Sequence, residues 1–146
     1  MLVRMAAILI VTIHLANSAG VAGPADPVKS VENLAEQGDH QAQYYLGLMY
    51  AREIGVHKDE TQAAKWFRMA ADQGDAEAQF FLGIQHFRGE GVKRNLLEAY
   101  KWTVLAADHG LEIAHHFRGI IAESMSRKQL EEAERQVTEW RNRGAD

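Results

Sequence analysis

The sequence predicts an all-α solenoid of antiparallel helix pairs, and three observations predict it. First, Gly38–Gln73 and Gly74–His109 align at a shift of 36 residues with 15 identities. A fixed period of that length marks a stacked repeat array. Second, each copy carries two apolar stripes at helical spacing. They are Ala42, Leu46, Tyr50 and then Ala63, Trp66, Phe67, Ala70, Ala71 in the first copy. In the second they are Ala78, Leu82, His86 and then Ala99, Trp102, Thr103, Ala106, Ala107. Third, the two prolines, Pro24 and Pro27, both precede the copies, so nothing after Pro27 forces a helix to break.

In chain order, residues 1–22 differ in kind from the rest. Arg4 gives a positive start, Met5 to Leu15 form an apolar run, and small residues follow from Ala16 to Gly23. That is the three-part plan of a secretory signal peptide, and the run is shorter than the roughly 20 residues needed to cross a bilayer. The expectation is export, to the periplasm or beyond, with no stable membrane span after cleavage. Residues 23–27 read as a linker. Residues 28–37 read as a short capping helix with Val31, Leu34 and Ala35 on its inner face. It stands where the second helix of a repeat would stand, with no first helix before it. Arrays need such ends because an internal repeat exposes apolar faces.

Repeat 1 spans 38–73 and repeat 2 spans 74–109. Their first helices run roughly Asp39–Arg52 and Asp75–Arg88, with the aspartates placed to cap. Asp59-x-x-Gln62 and Asn95-x-x-Glu98 resemble capping boxes opening the second helices. Gly47 and Gly83 lie inside helices, where glycine costs about 1 kcal/mol relative to alanine. Tolerating that twice in register implies a neighbouring helix too close for a side chain, with Trp66 and Trp102 as the expected neighbours. Gly55 and Gly91, in the links between helices, are expected at positive φ, with Val56 and Val92 tucked into the core. A degenerate third copy, 110–143, keeps Gly110, Ala114, Phe117, Gly119 and Ile120, replaces Leu82 by Arg118 and loses the glycine-valine loop. Ser126-x-x-Gln129 opens a last helix with Leu130, Ala133, Val137 and Trp140 facing inward.

These motifs resemble the Sel1-like repeat family, a branch of the tetratricopeptide-like helical repeats. The family pattern A-x-Y-x-L-G-x-x-Y, G-x-G-V, D-x-x-x-A-x-x-W-Y, A-A-x-x-G is met by Ala42–Tyr50, Gly55-Val56, Asp59–Phe67 and Ala70–Gly74. It is met again by Ala78–His86, Gly89–Val92, Asn95–Thr103 and Ala106–Gly110. Glu53, His86 and Thr103 depart from it. The resemblance implies an α-α superhelix, right-handed, of about two and a half repeats with capping helices. It also implies adaptor or scaffold work through the concave face, usually without catalysis. Leu46, Gly47, Gly55, Trp66, Leu82, Gly83, Gly91 and Trp102 are its structural positions.

Composition and motifs then narrow the function. The chain has 146 residues and a net charge of −4 without a clustered basic block, which argues against a general nucleic-acid binder. Cysteine is absent, which excludes disulfides, thiolate metal sites, cysteine nucleophiles and a lipoprotein anchor. No HExxH occurs, and His109, His115 and His116 are not spaced four apart. Gly89-Glu90-Gly91-Val92-Lys93 fails the nucleotide-loop spacings. A hydrolase acting on cell-wall or β-lactam substrates, of the kind linked to cysteine-rich exported relatives, is the alternative reading, but no S-x-x-K is present. A structural subunit that dimerises through its apolar ends is another.

The leading expectation is therefore a module without cofactor or metal that binds a protein or peptide in its groove within the cell envelope. Its inward stripe would hold Gln41, Tyr44, Leu48 and Arg52, then Glu77, Phe80, Ile84 and Arg88, then Ile113, His116 and Ile120. Aromatic residues and arginines dominate binding hot spots. The plainer alternative is that Tyr44 and Phe80 pack between repeats and that Arg52 and Arg88 cap helix ends.

Overall fold

The computed structural model describes residues 26–143. The expected signal segment 1–22 and residues 23–25 of the expected linker lie outside the described residues. Seven helices and no strands occur among the described residues: α1 Pro27–Glu36, α2 His40–Arg52, α3 Glu60–Asp72, α4 Ala76–Arg88, α5 Leu96–Asp108, α6 Glu112–Glu123 and α7 Arg127–Arg143. Each of the first five packs on the next in sequence, and α7 packs back on α5. The pairs α2/α3 and α4/α5 are the two repeats.

The helix starts follow from their caps. Asp26 accepts from the Val28 N–H at 3.0 Å, with Pro27 in the first turn, where its missing N–H is harmless. Asp39 and Asp75 accept from Ala42 N and Ala78 N at 2.8 and 2.9 Å. Asp59 and Asn95 cap α3 and α5 by accepting from the next N–H groups. These last two caps are not the reciprocal boxes that the sequence suggests. The Asp59 and Asn95 N–H groups instead donate to Tyr50 O and His86 O on the preceding helix, at 3.1 and 2.9 Å. That frees Glu98 to accept from Lys101 Nζ at 2.8 Å and Trp102 Nε1 at 3.0 Å. Burial alone would raise the Glu98 pKa, but the Lys101 and Trp102 hydrogen bonds and the Lys101 charge outweigh it and lower it. Ser126 and Gln129 do form a reciprocal box at the start of α7.

The two helix glycines sit at close approaches, one residue away from the expected contact. A Cβ on Gly47 would stand 2.6 Å from the Phe67 ring, and one on Gly83 2.6 Å from Thr103 Oγ1. The neighbours are therefore Phe67 and Thr103, not Trp66 and Trp102. Phe67 and Thr103 are equivalent positions, and both are buried. The tryptophans lie one step round the helix: Trp66 is half-buried against Val31 and Leu46, and Trp102 is buried in the central core with Leu82, Leu105 and Phe67. Thr103 hydrogen-bonds Ala99 O at 2.7 Å, which satisfies its hydroxyl in an apolar slot.

Gly55 and Gly91 adopt φ of 73° and 70°, as expected. At Gly91 a Cβ would stand 2.0 Å from Glu60 O, so the loop of the second repeat rests on the backbone that begins α3. A Cβ on Gly55 would stand 2.7 Å from Val28 Cγ2, so this loop meets a side chain of α1 where the other meets backbone. Val56 and Val92 are half-buried and belong to none of the core clusters. Glu53, where the family pattern has glycine, is left-handed at φ 56°, matching Gly89 at 75°.

Repeat is joined to repeat by buried amides. Gln43 donates to Ala35 O at 3.1 Å, and Gln79 donates to Ala71 O at 3.0 Å, each reaching the end of the preceding helix. Their own carbonyls are occupied by equivalent residues: Gln73 donates to Gln43 Oε1, and His109 Nδ1 lies 2.8 Å from Gln79 Oε1.

The ends differ from the middle. Leu34, expected inward, is 39% exposed, and among the described residues no first helix precedes α1 to cover that side. Gly119 has nothing within 4 Å of its Cβ position, since α7 crosses onto α5 instead of filling the place of a second helix beside α6. Tyr100, Val104, Ala133 and Val137 form that crossing, and Trp140 stacks edge-on to Trp102 at 5.5 Å. His86 fills the place of Tyr50. It is buried, Arg68 Nη2 lies 3.3 Å from its Nε2, and burial first, then Arg68 and Lys101, lower its pKa against the opposing pull of Glu98.

Two predictions follow from this packing. Gly47→Ala and Gly83→Ala should each destabilise the chain, since overpacking costs about 1–3 kcal/mol against a helix gain of about 1 kcal/mol. Gly119→Ala should instead stabilise by up to about 1 kcal/mol. Urea unfolding of all three checks this, and a loss at Gly119 as large as at Gly47 would contradict the notch. His86 binds its proton more weakly folded than unfolded, so its stabilising share is complete above the ordinary histidine range near 6.5 and is lost as pH falls below it. His86→Tyr should flatten the decline in urea midpoint between pH 7 and pH 5, whereas an unchanged slope would remove His86 from the acid response.

Candidate interaction face

The first helices α2, α4 and α6 hold every residue of the expected stripe, and the fold treats its members differently. Gln41 and Glu77, at the helix starts, are exposed. Arg52 and Arg88, at the helix ends, are exposed too. Between them Tyr44, Leu48, Phe80 and Ile84 are half-buried. On α6, Ile113 is 58% exposed, Ile120 is 39% exposed, and His116 is exposed.

The rings are held by packing between repeats. Tyr44 lies 6.0 Å from Phe81 and 6.2 Å from Phe67, and Phe80 lies 5.6 Å edge-on to Phe117. Offset and edge-on pairs at these distances are favourable. The plainer reading thus holds for the inner half of each ring, while an outer half remains solvent-facing. Burial, followed by the nearby Glu77 and Asp75 charges, pushes the Tyr44 hydroxyl up to about 12, so it is a neutral donor at physiological pH. The guanidinium of Arg52 lies 5.8 Å from the centre of the Phe81 ring, where a cation meets the negative ring face. Arg88 Nη1 stands 3.8 Å from Glu90, a loose pair between exposed side chains.

Sequence reasoning missed the residues that build this face from behind. Phe81 and Phe117 carry the ring contacts, and Gln43 and Gln79 tie the repeats. The signal for the glutamines was present: a polar residue repeated at 36 within an apolar stripe has to be satisfied inside. A comparable signal marked Phe81 and Phe117: with Tyr45 they place an aromatic ring at the same position of all three copies.

Elsewhere, two surface depressions of about 500 and 390 Å³ occur. The first is bordered by His86, Lys93, Arg94 and Asn95, the second by Asp72, Gln79, His109 and Trp140. Neither includes a residue of the stripe. Among the described residues no group of three His, Asp or Glu side chains is placed to hold a metal ion, and no helix is long and apolar enough to cross a membrane.

The Sel1 repeat model matches residues 40–75 and 76–111. Solved structures share the fold. A protective antigen present in uropathogenic Escherichia coli strains, displaying an SLR fold, is 30% identical with a TM-score of 0.77, over 93% of this chain and 29% of that one. A Sel1 repeat protein from Oxalobacter formigenes is 36% identical with a TM-score of 0.61, over 64% of this chain and 28% of that one. Helicobacter pylori cysteine rich protein B is 25% identical with a TM-score of 0.60, over 62% of this chain and 68% of that one. The chain therefore spans less than a third of the length of the first two. No curated protein matches it. Two tandem Sel1 repeats, each with its helix pair, and the same helical stack in these neighbours place the chain in the Sel1-like repeat family.

Proposed function

We propose that this chain is an exported adaptor that holds a protein or peptide partner along the solvent-facing side of α2, α4 and α6. The Sel1-repeat fold is in general a protein–protein interaction module. The observation that carries the reading further is the pairing of exposed side chains at one repeat interval. Gln41 and Glu77 are exposed at one edge, Arg52 and Arg88 at the other, and half-exposed Tyr44, Leu48, Phe80 and Ile84 run between. Apolar surface flanked by two guanidiniums suits an extended segment that buries apolar side chains and presents carboxylates, which arginine can grip with two parallel hydrogen bonds. Rings fixed by Phe81 and Phe117 lose little freedom when a partner lands on them, which favours binding. His116 and Ile120 extend the strip on α6.

Binding rather than catalysis is the reading, since neither cysteine nor an S-x-x-K serine is present to carry the hydrolase alternative. Export rests on the signal-like plan of residues 1–22, and a neighbour described as a protective antigen is in keeping with it.

Arg52→Glu with Arg88→Glu should reduce capture of envelope proteins or peptides at least tenfold while leaving the helical circular dichroism and urea midpoint unchanged. Full recovery of the same partners by the double variant would refute the face. N-terminal sequencing of the chain recovered from the envelope should begin between Ala19 and Gly23, and an intact Met1 on cytoplasmic protein would refute export.

A further inference from the structure

Of the four large apolar side chains left exposed among the described residues, three lie at the two ends of the stack: Leu34 on α1, and Ile113 and Ile120 on α6. The ends are complementary halves of one repeat. Among the described residues α1 has the place of a second helix with no first helix before it. α6 is a first helix whose successor, α7, leans on α5 instead. Accordingly Gly119, which holds the place of Gly47 and Gly83, meets nothing where they meet Phe67 and Thr103.

The internal repeats supply the register in which such halves would join. Tyr44 meets Phe81 and Phe80 meets Phe117, each a ring against the ring 37 residues later, on the next first helix. Two members of this series lack a counterpart within the chain. His116 stands at the place of Tyr44 and Phe80 but has no first helix after it. Tyr45 stands at the place of Phe81 and Phe117 but has none before it among the described residues. The same step, taken three repeats on, sets His116 opposite Tyr45 of a following copy and lays that copy's α1 and α2 beside Ile120, whose counterparts Leu48 and Ile84 are half-buried in the stack.

We propose that copies of this chain associate head to tail, the open face of α6 in one copy receiving α1 and α2 of the next in the register of an internal repeat. The two patches differ, so the contact is heterologous and extends instead of closing on a two-fold axis. Each added copy covers Leu34 of one chain and Ile120 of the other, and leaves the same two ends open for the next.

The absence of cysteine makes disulfide trapping clean. Full-length Tyr45→Cys and His116→Cys copies, mixed and oxidised, should give a linked heterodimer at several times the yield of either homodimer. Sedimentation supplies a second reading. Leu34→Glu alone and Ile120→Glu alone should each run as monomers at concentrations where the parent chain forms a series. Their equimolar mixture should recover a one-to-one dimer, because each variant keeps the end that the other has lost. Three results would overturn the proposal: a parent chain monomeric at every concentration, homodimers trapped as readily as the heterodimer, or association that survives both end variants. The second result would indicate a symmetric pair, and the third would make the apolar run Met5 to Leu15 the occupant. Capture by the Arg52/Arg88 face is scored on the parent chain and the Arg52/Arg88 double variant, which leave α1 and α6 unchanged, so the two readings fail separately.

Discussion

Everything in this fold depends on how closely two helix backbones can approach within a repeat. Gly47 and Gly83 set that distance, because a single methyl group at either place would enter the space of a buried side chain. Once the helices are that close, the rest follows. The Asp59 and Asn95 N–H groups reach carbonyls at the end of the preceding helix, and the small residues Ala63, Ala70, Ala99 and Ala106 are fully buried between neighbours. The loop glycines extend the same constraint from repeat to repeat. Gly91 rests on the Glu60 carbonyl, where its lack of a side chain matters as much as its positive φ.

The buried glutamines show how a solenoid reconciles a polar interior with an apolar one. The last carbonyls of a helix have no partner within it, and here the stacking hides them. Ala35 O and Ala71 O already accept from Gly38 N and Gly74 N, so Gln43 and Gln79 donate a second hydrogen bond to each, and Gln73 and His109 complete the amides. Each such bond adds only about 1 kcal/mol net, but leaving a buried glutamine amide unpaired costs about 1–3 kcal/mol. The ladder therefore acts mainly against misregistered stacking, since a slip by one residue would strand the amides. The exchange of Gln73 for His109 between copies keeps a ring or amide nitrogen where one is needed.

The same repetition divides each first helix between two tasks. Its inner residues are consumed by packing, and its ends project into solvent at a fixed interval. Tyr44 and Phe80 serve both tasks, with one ring edge locked against the next repeat and the other open. A strip of this kind is rigid without being deep, which suits a partner lying along it better than a small molecule needing enclosure.

The sequence by itself determined the helix pairs, their boundaries to within a residue or two, the capping aspartates and the positive-φ glycines. These depend on local chemistry that a 36-residue echo displays twice. It also revealed that Gly47 and Gly83 are notches, though not what fills them. Whether residue 66 or residue 67 enters the notch depends on the rotation of one helix against another, which differs by about 100° per residue and is decided by the whole contact. Tertiary structure alone decided what lies at the ends. Leu34 and Gly119 read as inward-facing because their counterparts are, but a position is inward only when another helix covers it. The chain before α1 supplies no first helix among the described residues, and α7 finds more apolar surface on α5, at Tyr100, Trp102 and Val104, than beside α6. Periodicity records what a residue is equivalent to, and burial depends on which neighbour is actually there.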